Sequence, residues 1–265
     1  MKRKLLVFTI VFLVTLLAVT PVLAITFGEL DGEEHPNVGA LLVAWPYPDG
    51  PIDVVCSGTL VEPNVFLTAA HCVNWMPAAG IPQDEVYVTF DSVYEIGSST
   101  IYPGSYYINP DYGHDSADPH DVAVVVLDEP LNDIATAELP PAGLLDELKA
   151  EGALKGQSFV TVGYGTVRDD KTGGFHPLYW EGARRFATGT YNALTKSWLK
   201  ISMNPATGDG GTCYGDSGGP HFLGDSDMVV SVTVTGDAPC RATDVTYRLD
   251  TESARSYLKD FVDLP

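Results

Sequence analysis

Short runs of aliphatic and β-branched residues recur along the chain, each closed off by Gly, Pro, Asn or Asp. They are Val38–Ala44, Thr59–Val61, Val65–Thr68, Val86–Phe90, Val122–Leu127, Ser158–Val162 and Met228–Val234. Runs this short between turn residues predict strands, and their number predicts an all-β barrel or sandwich architecture. Thr59–Val61 and Val65–Thr68, joined by Glu62-Pro63-Asn64, read as a hairpin. Two stretches read as helical. One is Gly143–Glu151, just beyond Pro140-Pro141. The other is near the C-terminus, where Ala254, Tyr257, Leu258 and Phe261 fall at i, i+3, i+4 and i+7, with Asp250 or Thr251 as N-cap. The segment from Asp128 to Gly152 is then the natural crossing between two β units.

With 265 residues, 45% of them hydrophobic, the chain can build a sizeable core and does not have the composition of a disordered one. Its 35 acidic and 15 basic side chains give a formal charge of −20, which argues against nucleic acid or an anionic membrane as partner. The N-terminus carries a leader: Lys2-Arg3-Lys4, an apolar run from Leu5 to Val19, then Pro21-Val22-Leu23-Ala24 with small residues at the cut. That is the pattern of a secretory signal peptide over residues 1–24, cleaved rather than kept as a membrane anchor. Its removal takes Lys2, Arg3 and Lys4 away and leaves 12 basic and 35 acidic groups. In an exported chain, Cys56, Cys72, Cys213 and Cys240 read as two disulfides, and no CxxC spacing supports zinc. Three pairings are open; local pairing closes loops of 16 and 27 residues, each worth roughly 3 kcal/mol on a loop-entropy basis.

The strongest chemical signal is Gly215-Asp216-Ser217-Gly218-Gly219-Pro220. Glycines on both sides let the backbone turn sharply and expose the serine hydroxyl, which needs a base and an orienting carboxylate to act as a nucleophile. Leu67-Thr68-Ala69-Ala70-His71-Cys72 places a histidine at a strand end beside a cysteine, and Asp121 heads the apolar strand that runs to Leu127. The same serine also fits the G-x-S-x-G elbow of α/β-hydrolases. That fold places its acid and histidine after the serine, whereas only His221 follows Ser217, and α/β alternation is missing.

These motifs make the chain resemble the chymotrypsin-like (trypsin-fold) serine endopeptidases, in a secreted bacterial-type form. Thr68–Cys72, Asp121–Leu127 and Gly215–Pro220 correspond to the histidine, aspartate and serine motifs. Cys56-Ser57-Gly58-Thr59-Leu60 and Val162-Gly163-Tyr164-Gly165 correspond to two further blocks. The resemblance implies two antiparallel six-stranded β-barrels, one from residues 25–140 and one from 141–265 with a short terminal helix. It also implies a catalytic triad of His71, Asp121 and Ser217, with the N–H groups of Gly215 and Ser217 as oxyanion hole. An N-terminal Ile25, freed by signal cleavage, would pair with Asp216, although Ile25-Thr26-Phe27-Gly28 departs from the family's Ile-Val-Gly-Gly. Gly211 and Thr212 at the pocket floor and Thr233-Val234-Thr235-Gly236 along its wall would bind substrate. Gly211 stands where a trypsin carries Asp, which favours a neutral P1 residue; Asp209 and Asp244 offer charge nearby. Protein or peptide substrates, proteinaceous inhibitors, a monomeric state and no cofactor follow from the same resemblance. The alternative is a catalytically silent homologue that serves as a binding protein.

Other polar features have ordinary readings. His114 and His120 among Asp111, Asp115 and Asp118 form a solvated loop before Asp121, with no metal expected. His35, His176 and His221 are expected at the surface or in loops, and Arg184-Arg185 as an exposed pair.

Overall fold

All the apolar runs become strands in the computed structural model, which describes residues 25–168 and 178–265. After a two-residue strand β1 (Glu29–Leu30) come β2 (Val38–Ala44), β3 (Ile52–Glu62), β4 (Val65–Thr68), β5 (Val86–Thr89), β6 (Tyr102–Ile108) and β7 (Ala123–Leu127). Strands β2 to β7 close into an antiparallel barrel in the order β2-β3-β4-β7-β6-β5, with the expected β3–β4 hairpin. The second half holds β8 (Ser158–Gly163), β9 (Arg185–Leu194), β10 (Trp198–Ser202), β11 (Pro220–Leu223), β12 (Val229–Gly236) and β13 (Thr243–Arg248). These close in the order β8-β9-β10-β13-β12-β11, and β1 adds to β9. The architecture is therefore two closed six-stranded antiparallel barrels, as the resemblance implied.

The period of two along each strand explains why so many are apolar on both faces. Phe66 of β4 and Val125 of β7 are register partners and fill the first barrel, with Leu41. Their neighbours Leu67 and Val124, also partners, point the other way. There they join Val38, Val162, Phe222 and Tyr247 in a cluster shared by both barrels. Phe159, Leu199 and Val230 fill the second barrel.

Among the described residues three short α-helices accompany the strands: α1 (Ala70–Val73), α2 (Leu144–Ala150) and α3 (Glu252–Leu258). The two candidate caps divide their work. Thr251 Oγ1 accepts the Ala254 N–H and caps α3, while Asp250 Oδ2 accepts the Leu145 N–H at 2.8 Å and serves the start of α2. Buried Arg248 donates to both carboxylate oxygens of Asp250 and reaches Asp146 of α2, so one turn after β13 fixes both helices. Phe261 lies past the end of α3 but still packs against Tyr257 in a tilted ring contact, at 5.2 Å between ring centroids. Among the described residues no helix is long and apolar enough to cross a membrane.

The expected exposed pair Arg184-Arg185 is instead buried, at 0% and 4% exposure. Arg184 Nε donates to Asp31 Oδ2 at 2.7 Å; its Nη1 donates to the carbonyls of Val38 and Phe90 and to the Tyr164 hydroxyl, and its Nη2 to the Gly32 carbonyl. A charge can sit there because its donors are matched, and it pins the N-terminal segment and the first barrel to the second. Burial works to raise the Asp31 pKa, yet hydrogen bonds from His35 and Arg184 hold it below its ordinary value. Replacing Arg184 with Met strands the Asp31 carboxylate. The expected loss is about 3–5 kcal/mol, read as a lower denaturant midpoint at unchanged slope.

Candidate active site

Pairing of Thr68 with Ala123 across β4 and β7 sets the positions of the two residues just outside that ladder, His71 and Asp121. His71 sits on the single turn of α1, and Asp121 is 3% exposed. Asp121 Oδ2 lies 2.9 Å from His71 Nδ1, and Oδ1 accepts the His71 backbone N–H at 2.9 Å. An ionised carboxylate only accepts, so the ring proton belongs on Nδ1 and the lone pair on Nε2, the form a general base requires.

Ser217 lines a cavity of about 210 Å³ in the second barrel, together with Thr212, Thr233, Val234, Thr235 and Gly236. Tyr214, Asp237, Ala238 and the Cys213–Cys240 disulfide complete its walls. Gly215 has φ of +100°, and a Cβ there would stand 3.0 Å from the Gly165 Cα, so the backbone before Ser217 is open only to glycine. Gly211 does not line the cavity. Its N–H donates to the Thr26 carbonyl, and a Cβ on it would stand 2.7 Å from the Met203 Cβ.

The disulfides are Cys56–Cys72 and Cys213–Cys240, with Cα–Cα separations of 6.1 and 5.3 Å. The first joins the two sides of the site. Cys72 follows His71, and Cys56 precedes Ser57, whose N–H donates to the Ser217 carbonyl at 2.9 Å. The Ser57 hydroxyl donates to the Gly215 carbonyl and accepts the Tyr164 N–H, both at 3.0 Å, while Thr68 Oγ1 donates to the Ser57 carbonyl. Nothing in the Cys56–Leu60 block marks this role of Ser57, whose partners Tyr164 and Gly215 come from distant segments. His71 also lies beside both sulfurs, but they are bonded to each other and offer a metal no thiolate.

Asp216 is wholly buried, its Oδ1 accepting the Gly165 N–H and its Oδ2 the Cys213 N–H, both at 2.8 Å. Burial pushes its pKa up to about 7; the two N–H groups pull it down and nearby Asp244 pushes it up. Ile25 is 1% exposed and bridges to Val167, two residues beyond Gly165. Of the two acids near the pocket, Asp209 accepts from the hydroxyls of Thr190, Ser202 and Thr207.

One histidine is not where the sequence suggested: His221 is 1% exposed on β11, with Nε2 2.9 Å from Asp244 Oδ2. His35 lies in the loop before β2, as expected, half-buried where it stacks on Phe222 and pairs with Asp31. His176 lies outside the described residues. A larger cavity of about 910 Å³ borders the 107–120 segment and α3. There His120 Nδ1 meets Ser253 Oγ at 2.7 Å and Asp118 accepts from the Tyr247 hydroxyl, so these side chains are engaged with one another.

Two closed barrels, a histidine gripped by an aspartate, and a serine in a glycine-bounded loop are the framework of a chymotrypsin-like hydrolase. The Trypsin family matches residues 34–257. A protein named "Trypsin" from Saccharopolyspora erythraea is 28% identical over 220 residues, which cover 79% of this chain and 85% of that protein. The chain belongs to the trypsin family and is a serine endopeptidase.

Ser57→Ala would remove the tie to Gly215 without touching substrate. If the Gly215 N–H is the oxyanion-hole donor that the resemblance implies, the expected result is about tenfold lower kcat at unchanged KM, because such donors act mainly in the transition state. Steady-state kinetics on a peptide substrate check this.

Proposed function

We propose that His71, Asp121 and Ser217 are the catalytic triad of a secreted endopeptidase that cleaves protein and peptide substrates through an acyl-enzyme. The grip of Asp121 on both the ring and the backbone N–H of His71 carries the reading. In this scheme Ser217 Oγ attacks the scissile carbonyl carbon and His71 Nε2 takes the hydroxyl proton. The N–H groups of Gly215 and Ser217 receive the negative charge on the carbonyl oxygen. The tetrahedral intermediate then expels the amine, which takes the proton from His71. Water, activated by His71 in turn, hydrolyses the ester and restores Ser217. Asp121 keeps the imidazole oriented and stabilises its charged form.

The cavity beside Ser217 receives the P1 side chain, and a neutral one fits it. Val234 and Ala238 are apolar, and the Asp237 carboxylate accepts the N–H groups of Arg241, Ala242 and Thr243 in its own turn. Residues 1–24 are the export signal, and its removal creates the working N-terminus at Ile25. The support is the buried Asp216 carboxyl, whose two hydrogen bonds come from uncharged N–H groups. An amine from Ile25 would supply the missing countercharge. The protein acts as a monomer, and proteinaceous inhibitors would occupy the same cleft.

Asp121→Asn is expected to lower kcat by about 10⁴ with the fold intact, since an amide no longer enforces the His71 tautomer. A second expectation concerns pH. In a form extended before Ile25, Asp216 has a folded pKa of about 7 against an ordinary 3.8, so the folded state holds a proton that the unfolded chain releases. Its stability is full below about pH 4 and falls as pH rises through 7. In the form that begins at Ile25 the amine stabilises the anion and this fall disappears. Thermal melts of both forms from pH 4 to 8 read the difference.

A further inference from the structure

Beneath the cavity lies a chain of buried polar groups that the triad does not use. Thr212 Oγ1 is 2.6 Å from Asp244 Oδ2, and His221 Nε2 is 2.9 Å from the same oxygen. Thr212, Asp244 and His221 are 6%, 1% and 1% exposed. Of the three, only Thr212 reaches the cavity. The carboxylate accepts, so both neighbours donate to it: the one proton of the Thr212 hydroxyl is committed to Asp244, and His221 carries its proton on Nε2. What Thr212 has left for a ligand is an oxygen lone pair. Thr233, also in the cavity wall, has a buried hydroxyl with no partner among the described residues, so its proton is uncommitted and a turn of its side chain would bring it to the cavity; Asp244 Oδ1 and His221 Nδ1, deeper in the chain, are likewise unpartnered. The pocket thus holds one fixed acceptor and one available donor. Its other acid, Asp237, is engaged by its own turn.

We propose that the Thr212–Asp244–His221 chain sets P1 selectivity, and that it selects a side chain ending in a primary amide, glutamine or asparagine. This rests on the reading of the Ser217 cavity as the P1 site and narrows its neutral preference. The amide NH₂ donates to Thr212 Oγ1, and the amide oxygen accepts from the Thr233 hydroxyl. A carboxylate would set a lone pair against that of Thr212. An aliphatic side chain would leave the Thr212 acceptor and the Thr233 donor buried and unmatched, the situation that gives hydrogen-bonding sites their largest discrimination. An ammonium would find oxygens but no uncommitted carboxylate on the pocket surface. His221 acts as a positioning residue: lodged between its register partners Thr161 of β8 and Ser231 of β12, it holds the shared oxygen of Asp244 under Thr212.

The test is a panel of peptides identical except at P1, bearing Gln, Asn, Glu, Met, Leu or Lys. Enzyme concentration is fixed first by the acyl-enzyme burst with a p-nitrophenyl ester. The expected result is kcat/KM for Gln or Asn about tenfold or more above Glu, Met, Leu and Lys. Thr212→Val, nearly isosteric, should bring the Gln-to-Met ratio close to one. Asp244→Asn, which can donate to Thr212 and free its proton, should lower the Gln-to-Glu ratio. Fastest cleavage after Leu, Met, Glu or Lys would overturn the proposal. So would a Gln-to-Met ratio unmoved by Thr212→Val, a variant that does not depend on Asp244→Asn folding. A wild-type enzyme with no burst would overturn the reading of Ser217 itself, and this inference with it.

Discussion

The Cys56–Cys72 disulfide and the Ser57 that follows it hold the two halves of the site together. His71 and Asp121 belong to the first barrel and Ser217 to the second. The apolar cluster between the barrels supplies attraction, but attraction of that kind has no direction. Direction comes from a short path: His71 to Cys72, across the disulfide to Cys56, and from Ser57 to the carbonyls of Ser217 and Gly215. Thr68, three residues before His71, ties back to the Ser57 carbonyl and closes the path into a ring. A disulfide placed there constrains the relative positions of His71 and the Ser217 loop as well as the unfolded chain.

Buried charge supports this frame at several points, each matched in a different way. Arg184 and Asp31 join the barrels through a cation whose donors are all directed. Arg248 and Asp250 bind two helices to the end of β13. Among the described residues Asp216 has backbone donors alone, and Asp244 shares one oxygen between a hydroxyl and an imidazole. The first two pairs act on stability; the last two carboxylates lie next to the serine loop and the pocket, where the proposals above assign them roles in forming the site and in selecting its substrate. The acid excess of the whole chain gave no hint of these roles, since it reports on solubility.

The strands that sequence revealed are those with continuous apolar runs, because a strand buried on both faces leaves that trace. The strands it did not reveal are mixed. Strand β6 contains Pro103 and Gly104, β9 alternates polar residues around Gly189, and β10 carries Lys200. Their places are fixed by barrel closure, a tertiary effect. The His71, Asp121 and Ser217 motifs were legible because a turn at a strand end demands small residues and glycines at set positions. Arg184 and His221 were misread for the opposite reason: a charged or polar side chain goes inside only when distant partners, here Asp31 and Asp244, are waiting. The tie from Ser57 to Gly215 and the cap that Asp250 gives α2 were unreadable in the same way, since Gly215 and Leu145 lie more than a hundred residues away in sequence.

In the proposed mechanism His71, Asp121 and Ser217 act as one assembled unit. Covalent labelling of the mature protein with a fluorophosphonate, located by peptide mass, tests it most directly. Stoichiometric modification of Ser217, lost in His71→Ala, is the expected result. A folded protein beginning at Ile25 that takes up no label, or takes it up equally well without His71, would contradict it.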